Sequence, residues 1–338
     1  MNVLLKLNQS DAISQRALAN KRACPACGAG RTRSVGDKRN YELALCMECG
    51  SIFTSECPGN GELLDLYDHY YDHACFELPS VITASLERLV GSAEQFRCTG
   101  RWLDIGYGEG GLLKIAERYG WDCYGADIAP QALEYGERRG WVVAADAEGD
   151  PRFPDEGFDV VTMVEFLEHV GTPDRFLRAA SRWLRPGGLL YITTPNAESL
   201  NRRFLGLEWS VFSPPEHLTI WTTRGLRYAL AKAGFQHQRI RTEGFNPYEI
   251  LARLRSRDQA PVTVDRNQTA LVLNNAFSCS GFRRALKRGI NHCLSAVGIS
   301  DSIKAWALRD HQLPSEGAAM ICATTTIQYP CAPWCLIP

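Results

Sequence analysis

The chain has 338 residues, 45% of them hydrophobic, with 37 Lys and Arg against 38 Asp and Glu for a formal net charge of −1, the profile of an ordinary soluble globular protein. That balance excludes a chain-wide electrostatic grip on nucleic acid or anionic lipid, and no run reaches the ~18 apolar residues of a membrane span. The opening MNVLLKLNQSD holds an apolar patch too short for a secretory signal, so a cytoplasmic protein is expected, its thirteen cysteines kept as thiols and metal ligands rather than disulfides.

Residues 1–20 read as a polar, partly helical tail. Residues 21–60 carry CPACG and CMECG, that is Cys24-x2-Cys27, eighteen intervening residues, and Cys46-x2-Cys49. This is the spacing of a four-thiolate zinc ribbon, and a Gly after each pair lets the backbone curl around the ion. Four thiolates close the coordination sphere, so the Zn2+ is expected to be structural. Residues 61–95 form a tyrosine-rich link running into an amphipathic helix. Tyr67, Tyr70 and Tyr71 are candidates for a substrate wall, with plain packing as the equal alternative.

From 96 to 245 strand and helix alternate: RWLDI, GLLKIAERYG, DCYGADI, PQALEYGERRG, WVVAAD, FDVVTMVE, DRFLRAASRWL, GGLLYITT, then the helix TRGLRYALAKAG and a strand near FQHQRIRTEG. Short β-rich runs separated by helices of about ten residues predict βαβ crossovers and a doubly wound, mostly parallel α/β sheet. Residues 246–338 read as a helical insertion or cap, then a last strand at AAMICATTTIQ and a tail. Basic residues outnumber acidic ones about twofold between Arg239 and Asp310.

In LDIGYGEGGLLKIA, Gly106, Gly108 and Gly111 satisfy G-x-G-x-x-G, and Asp127 lies at the end of the next strand, where a ribose-binding acid belongs. A dinucleotide would set its pyrophosphate against Asp104 and Glu109. A ligand with an ammonium, a sulfonium and no phosphate, S-adenosylmethionine (SAM), matches those charges better.

The series LDIGYGEGG, GADI, AADAEG, FDVVTMVEFLEHV and LRPGGLLYITTPN resembles the class I SAM-dependent methyltransferases over about residues 100–245. The resemblance implies a seven-stranded Rossmann-like sheet whose last strand is antiparallel. It places Asp104, Gly106, Tyr107 and Gly108 near the methionine moiety, Asp127 and Ile128 at the ribose and its surroundings, Asp146 and Ala147 near the adenine, and Glu165 beside the cofactor facing substrate. Asp146 has an alternative role as a turn cap. With the N-terminal ribbon, the chain is similar to a bacterial small-molecule subgroup that includes C-methyltransferases of nucleotide-linked deoxysugars, in which ribbon and tyrosines help enclose substrate.

Methyl transfer from a sulfonium needs alignment and, for a hydroxyl or carbon acid, a base. His169 in EFLEHV is one candidate, with a scaffold or cofactor-side role as the other reading. Glu216 and His217 in SPPEHL follow the fifth strand at the ligand edge of the sheet, where an imidazole suits general-base work. A loop-fixing hydrogen bond is the competing role, and Pro214 stands where the sugar enzymes carry tyrosine. The expected activity is methylation of carbon or oxygen on a small biosynthetic intermediate, such as a sugar nucleotide. The alternatives are an RNA methyltransferase gripping RNA through the ribbon and the basic segment, and a non-catalytic SAM-binding protein. Neither a nucleic-acid nor a membrane partner is expected, and no motif speaks to oligomeric state.

Overall fold

The computed structural model describes residues 21–59, 80–255 and 281–310. Its centre is a seven-stranded sheet of β4 (Arg101–Ile105), β5 (Asp122–Ala126), β6 (Val142–Ala144), β7 (Phe158–Val164), β8 (Leu184–Pro195), β10 (His237–Glu243) and β11 (Ser302–Leu308). The order is β10-β11-β8-β7-β4-β5-β6. Strands β4 to β8 run parallel, whereas β11 pairs antiparallel with both β8 and β10. Strand β7, FDVVTMV, is buried at every position but its last, as expected of a parallel strand covered on both faces.

Helices cover the two faces: α1 (Ser80–Ala93), α2 (Gly111–Arg118), α3 (Pro130–Arg139), α4 (Pro173–Trp183) and α6 (Thr223–Lys232), with the short α5 (Leu200–Leu205) between. Helix α4 shows why they form. Pro173 opens its first turn, Asp174 pairs with Arg178 one turn on at 2.7 Å, and Leu177, Ala180 and Trp183 make its buried stripe, the 3.6-residue spacing of an amphipathic helix. Beyond β10 come α7 (Tyr248–Arg255) and α8 (Gly281–Ala296). No helix among the described residues is long and apolar enough to cross a membrane.

The doubly wound, mostly parallel seven-stranded sheet expected from the sequence is present, with one correction. The antiparallel strand is Ser302–Leu308, inside the segment read as helix and loop, and it completes the sheet. AAMICATTTIQ lies outside the described residues. SIKAWAL carries its apolar residues in a 2-residue alternation only at first, before turning continuously buried, so periodicity alone did not separate it from helix.

A second sheet joins β1 (Thr32–Lys38), β2 (Tyr41–Cys46) and β3 (Ile52–Thr54) to β9 (Thr219–Ile220), in that order. Strand β9 comes from the SPPEHLTI stretch, so the cysteine module and the large sheet are not separate bodies. Ile52 faces Ile220 and Phe53 faces Thr219 in the antiparallel register. Cys24, Cys46, Cys49 and Phe53 belong to the same apolar cluster as Val161, Leu190, Trp221 and Leu226.

Asp159 at the start of β7 is fully buried and ties the sheet's entrance together. It accepts from the Cys98 and Gly100 amides at 2.8 Å each and from Arg185 Nε at 2.6 Å. Burial pushes its carboxyl up, but these bonds outweigh it and hold the group below the usual carboxylate range. A depressed carboxylate stabilises fully above its unfolded value of about 3.9 and less as pH falls through its folded value. Asp159→Asn should therefore destabilise the protein by about 3 kcal/mol at neutral pH. In urea titrations the gap between wild type and variant should shrink below about pH 4.

Candidate functional site

The sheet reverses its winding between β4 and β7, whose outer neighbours are β5 and β8. Ligands of open α/β sheets bind at the carboxyl ends of the strands beside such a reversal, and both conspicuous motifs leave the sheet there. The loop after β4 holds Gly106 at φ +71°, and a Cβ at that position would stand 2.4 Å from Cδ2 of Phe166, in the turn after β7. The bare backbone of one motif is therefore seated on the ring of the other.

Asp104, 3% exposed, accepts from Thr162 Oγ1 at 2.6 Å. Burial pushes its carboxyl up to about 7, against the Thr162 bond and with help from the nearby charge of Asp127. Asp127 accepts from the Gly108 and Ala129 amides at 2.9 Å each, and burial raises it too. Two carboxyls whose ionised forms are penalised by burial would gain from a cationic ligand. Next to them Ile128 is 51% exposed and Ala147 is buried, an apolar side chain open at the mouth beside a packed methyl. The donor set, the glycine cradle and this apolar edge fit SAM.

Two of the expected contacts are reshaped. Tyr107 turns its side chain into the helical layer, 5% exposed, with its hydroxyl donating to Ala132 O at 2.6 Å, so only its backbone stays on the loop. Asp146 caps a turn through the Glu148 amide at 3.0 Å and pairs with Arg175 at 3.2 Å, which is the capping role. Glu165 is exposed at the end of β7 in a left-handed conformation, φ +50°, its amide donating to Thr193 O at 3.0 Å.

Two residues beyond Phe166, Glu168 is fully buried. Its Oε2 accepts from Thr194 Oγ1 at 2.8 Å, while Oε1 has no hydrogen-bond partner and stands 3.9 Å from His169 Nε2. Burial first, and repulsion from Glu165 second, push its carboxyl well above the usual carboxylate range. Burial, together with the nearby His217, pushes His169 down to about 3, so its ring is neutral. The rings of His169 and His217 meet edge to face with centroids 4.7 Å apart.

His217 is oriented by a group that no motif announces. Its Nδ1 lies 2.7 Å from Val211 O, and because a carbonyl only accepts, Nδ1 carries the proton and Nε2 is the basic nitrogen. Glu216 accepts from Ser213 Oγ at 3.1 Å within the same turn. The structure thus brings His169, His217 and Glu216 together and adds Glu168, whose signal was its three-residue spacing from Glu165 in EFLEH. Glu168, His169 and His217 offer ligand atoms all within 4.8 Å of one another, a set that could also hold a divalent cation. Tyr67, Tyr70 and Tyr71 lie outside the described residues.

The four cysteines of the ribbon converge as their spacing implies. Cys24 Sγ and Cys49 Sγ are 3.6 Å apart, Cys27 Sγ and Cys46 Sγ 3.5 Å, and all four lie within 4.8 Å. A tetrahedral ion with Zn–S bonds of about 2.3 Å sets sulfur pairs about 3.8 Å apart, so the residues fit Zn2+. Gly28 and Gly50, at φ +79° and +80°, turn each knuckle so that its amide donates back to the carbonyl of Cys24 or Cys46, at 2.7 and 2.9 Å.

A family model described as a methyltransferase domain matches residues 67–240. The ubiquinone biosynthesis O-methyltransferase of Cereibacter sphaeroides is 33% identical over 171 residues, covering 47% of this chain and 69% of that protein. The protein of the same description from Roseobacter denitrificans is 34% identical over 156 residues, covering 43% and 58%. A crystal structure of a SAM-dependent methyltransferase from Archaeoglobus fulgidus aligns at TM-score 0.47 and 20% identity, covering 73% of this chain and 99% of that one.

The sulfur geometry carries a direct prediction. Purified protein should hold about one zinc per chain by metal analysis, the stoichiometry of a four-thiolate site. Cys46→Ser should lose it and expose the β1–β2 hairpin to proteolysis, because binding energy at such a site is folding energy.

Proposed function

The chain belongs to the methyltransferase-domain family and is a class I SAM-dependent methyltransferase, and on that premise we propose that it methylates a hydroxyl of a small cyclic biosynthetic intermediate, with His217 as general base. The observation that carries this reading is the pair of imidazoles in edge-to-face contact, one of them fixed by Val211 with its basic Nε2 turned from the anchoring carbonyl, on the sheet edge where the glycine loop also ends. The relatives described as ubiquinone biosynthesis O-methyltransferases favour oxygen as acceptor. The Glu216-His217 pair, shared in type with the deoxysugar C-methyltransferases, supports a second reading, methylation at carbon of a nucleotide-linked keto-sugar.

SAM, when bound, supplies a methyl group already activated by its sulfonium. The chain's own work is alignment and proton handling. Asp104 would hold the ammonium and Asp127 the ribose hydroxyls, and the bare Gly106 backbone, seated against Phe166, would leave the methionine arm its approach. Neutral His169 would not repel a proton arriving at His217 as a cationic ring would, and burial disfavours a charge on Glu168. His217 Nε2 would therefore be placed to take the acceptor hydroxyl's proton. Such a base contributes on the order of 10²–10⁴ in rate.

Two measurements test this. Asp104 titrates near 7 in the unliganded protein, so below that pH the carboxyl must lose its proton before it can pair with an ammonium. SAM affinity by calorimetry should fall by up to about tenfold per unit as pH drops below 7, and Asp104→Asn should bind weakly with a flat profile. Second, labelled methyl transfer is followed against phenols, catechols and nucleotide-linked keto-sugars. Turnover should appear with one class, and His217→Gln should lose about 100-fold in kcat at unaltered SAM affinity. A His217→Gln enzyme with undiminished kcat would refute the base assignment.

A further inference from the structure

Arg22 precedes the first cysteine knuckle and belongs to neither the thiolate site nor the glycine loop. Its guanidinium lies 5.5 Å over the ring of Phe53 and spreads its donors over three separate segments. On the ribbon, Nε donates to Thr54 O at 2.7 Å and Nη2 to Thr54 Oγ1 at 3.0 Å. In the loop after β7, Nη1 donates to Gly171 O at 3.2 Å, two residues beyond His169. In the SPPEHL loop, Nη2 donates to Leu218 O at 2.7 Å, the residue directly after His217. Nη1 also meets Cys57 Sγ at 3.0 Å.

We infer that Arg22 is a positioning residue which sets the distance between the two imidazoles by clamping the loops that carry them to each other and to the ribbon. This rests on reading His169 and His217 as the site's proton-handling pair. The clamp also makes the cysteine module a fixed wall of the acceptor site.

The two loops come from different parts of the chain, and one attachment already joins them: the Leu218 and Thr219 amides both donate to Glu168 O, at 2.7 and 3.1 Å. A single shared acceptor leaves a hinge. Arg22 takes the opposite end of the same peptide group, the Leu218 carbonyl, which also accepts the Thr54 amide at 3.0 Å. A guanidinium suits this work because its donors are coplanar and rigidly spaced, whereas a lysine ammonium is one point charge on a flexible stem. From the ribbon side the brace continues through Thr222, whose hydroxyl donates to Cys49 O at 2.7 Å and caps α6 through the Gly225 amide at 2.9 Å.

The test reads the imidazoles directly, in the full-length zinc-loaded protein, with no methyl acceptor required. Ring resonances of His169 and His217, assigned with His169→Gln and His217→Gln, are compared by NMR at neutral pH in wild type, Arg22→Ala and Arg22→Lys. His169 Nε2 stands 3.9 Å from Glu168 Oε1, and its ring centroid lies 4.7 Å from that of His217. In Arg22→Ala the loops should part and water enter, so the resonances of both rings should shift and the ring-to-ring contact should be lost. Zinc content should be unchanged and SAM affinity stay within threefold. Arg22→Lys should fall between, and millimolar ethylguanidinium should restore the wild-type rings to Arg22→Ala.

Unchanged rings in Arg22→Ala would overturn the inference, as would full recovery by lysine, or loss of zinc and SAM binding together with the ring shifts. If Arg22→Ala does not fold, Thr54→Val removes a single acceptor of the clamp, and the same shifts are expected at smaller amplitude. Their absence there overturns the inference equally. Undiminished turnover by His217→Gln would refute the base reading alone, because the NMR reports ring environment whatever the rings do in catalysis.

Discussion

Two amide hydrogens, those of Leu218 and Thr219, converge on the carbonyl of Glu168, and the rest of the site depends on that meeting. Glu168 sits in the turn that ends β7, at the centre of the large sheet. Leu218 and Thr219 sit where the chain leaves the SPPEHL loop and pairs with the ribbon as β9. One backbone acceptor therefore brings together the strand that positions the cofactor loop, the loop that presents His217, and the sheet of the cysteine module. Buried backbone groups must find partners, so the pairing is obligatory once both segments are packed.

Burial works against charge throughout the cleft. It raises the carboxyls of Asp104 and Asp127, so a ligand that brings a cation or hydrogen-bond donors to them is favoured. It also raises Glu168 and lowers His169, since desolvation raises an acid and lowers a base. The turn after β7 connects these groups: the Gly106 backbone is seated against the Phe166 ring, and Glu168 and His169 follow two and three residues on.

Legibility in the sequence followed the range of the interactions. The βαβ alternation, the glycine loop with Asp104 and Asp127, and the two cysteine pairs are local patterns, set by periodicity or by fixed spacing, and all of them are found where they were read. The antiparallel strand was placed too late because SIKAWAL alternates only over its first residues and is continuously buried after them, a pattern that periodicity does not separate from helix. What makes it a strand is the open edge offered by β8 and β10. Strand β9 is two residues long, below any periodicity, and exists because β3 has an edge to fill. Tyr107 reads as part of a loop, yet its ring is claimed by the helical layer beside Gly125 and Gly136.

The candidate site divides in the same way. The residue types were visible, including the Glu-His pair in SPPEHL and the Glu-His of EFLEHV, because the chemistry of an imidazole does not depend on context. Their meeting, the anchoring of His217 by Val211, and the full burial of Glu168 were not visible, because distance and dielectric are set by residues far away in the chain. The sequence alone therefore determined the fold class, the SAM-dependent methyltransferase family and the pairing of four cysteines that the fold brings together. Only the tertiary structure decided that the cysteine module and the two imidazole loops are one assembly, since backbone pairing across some 170 residues leaves no trace in local spacing.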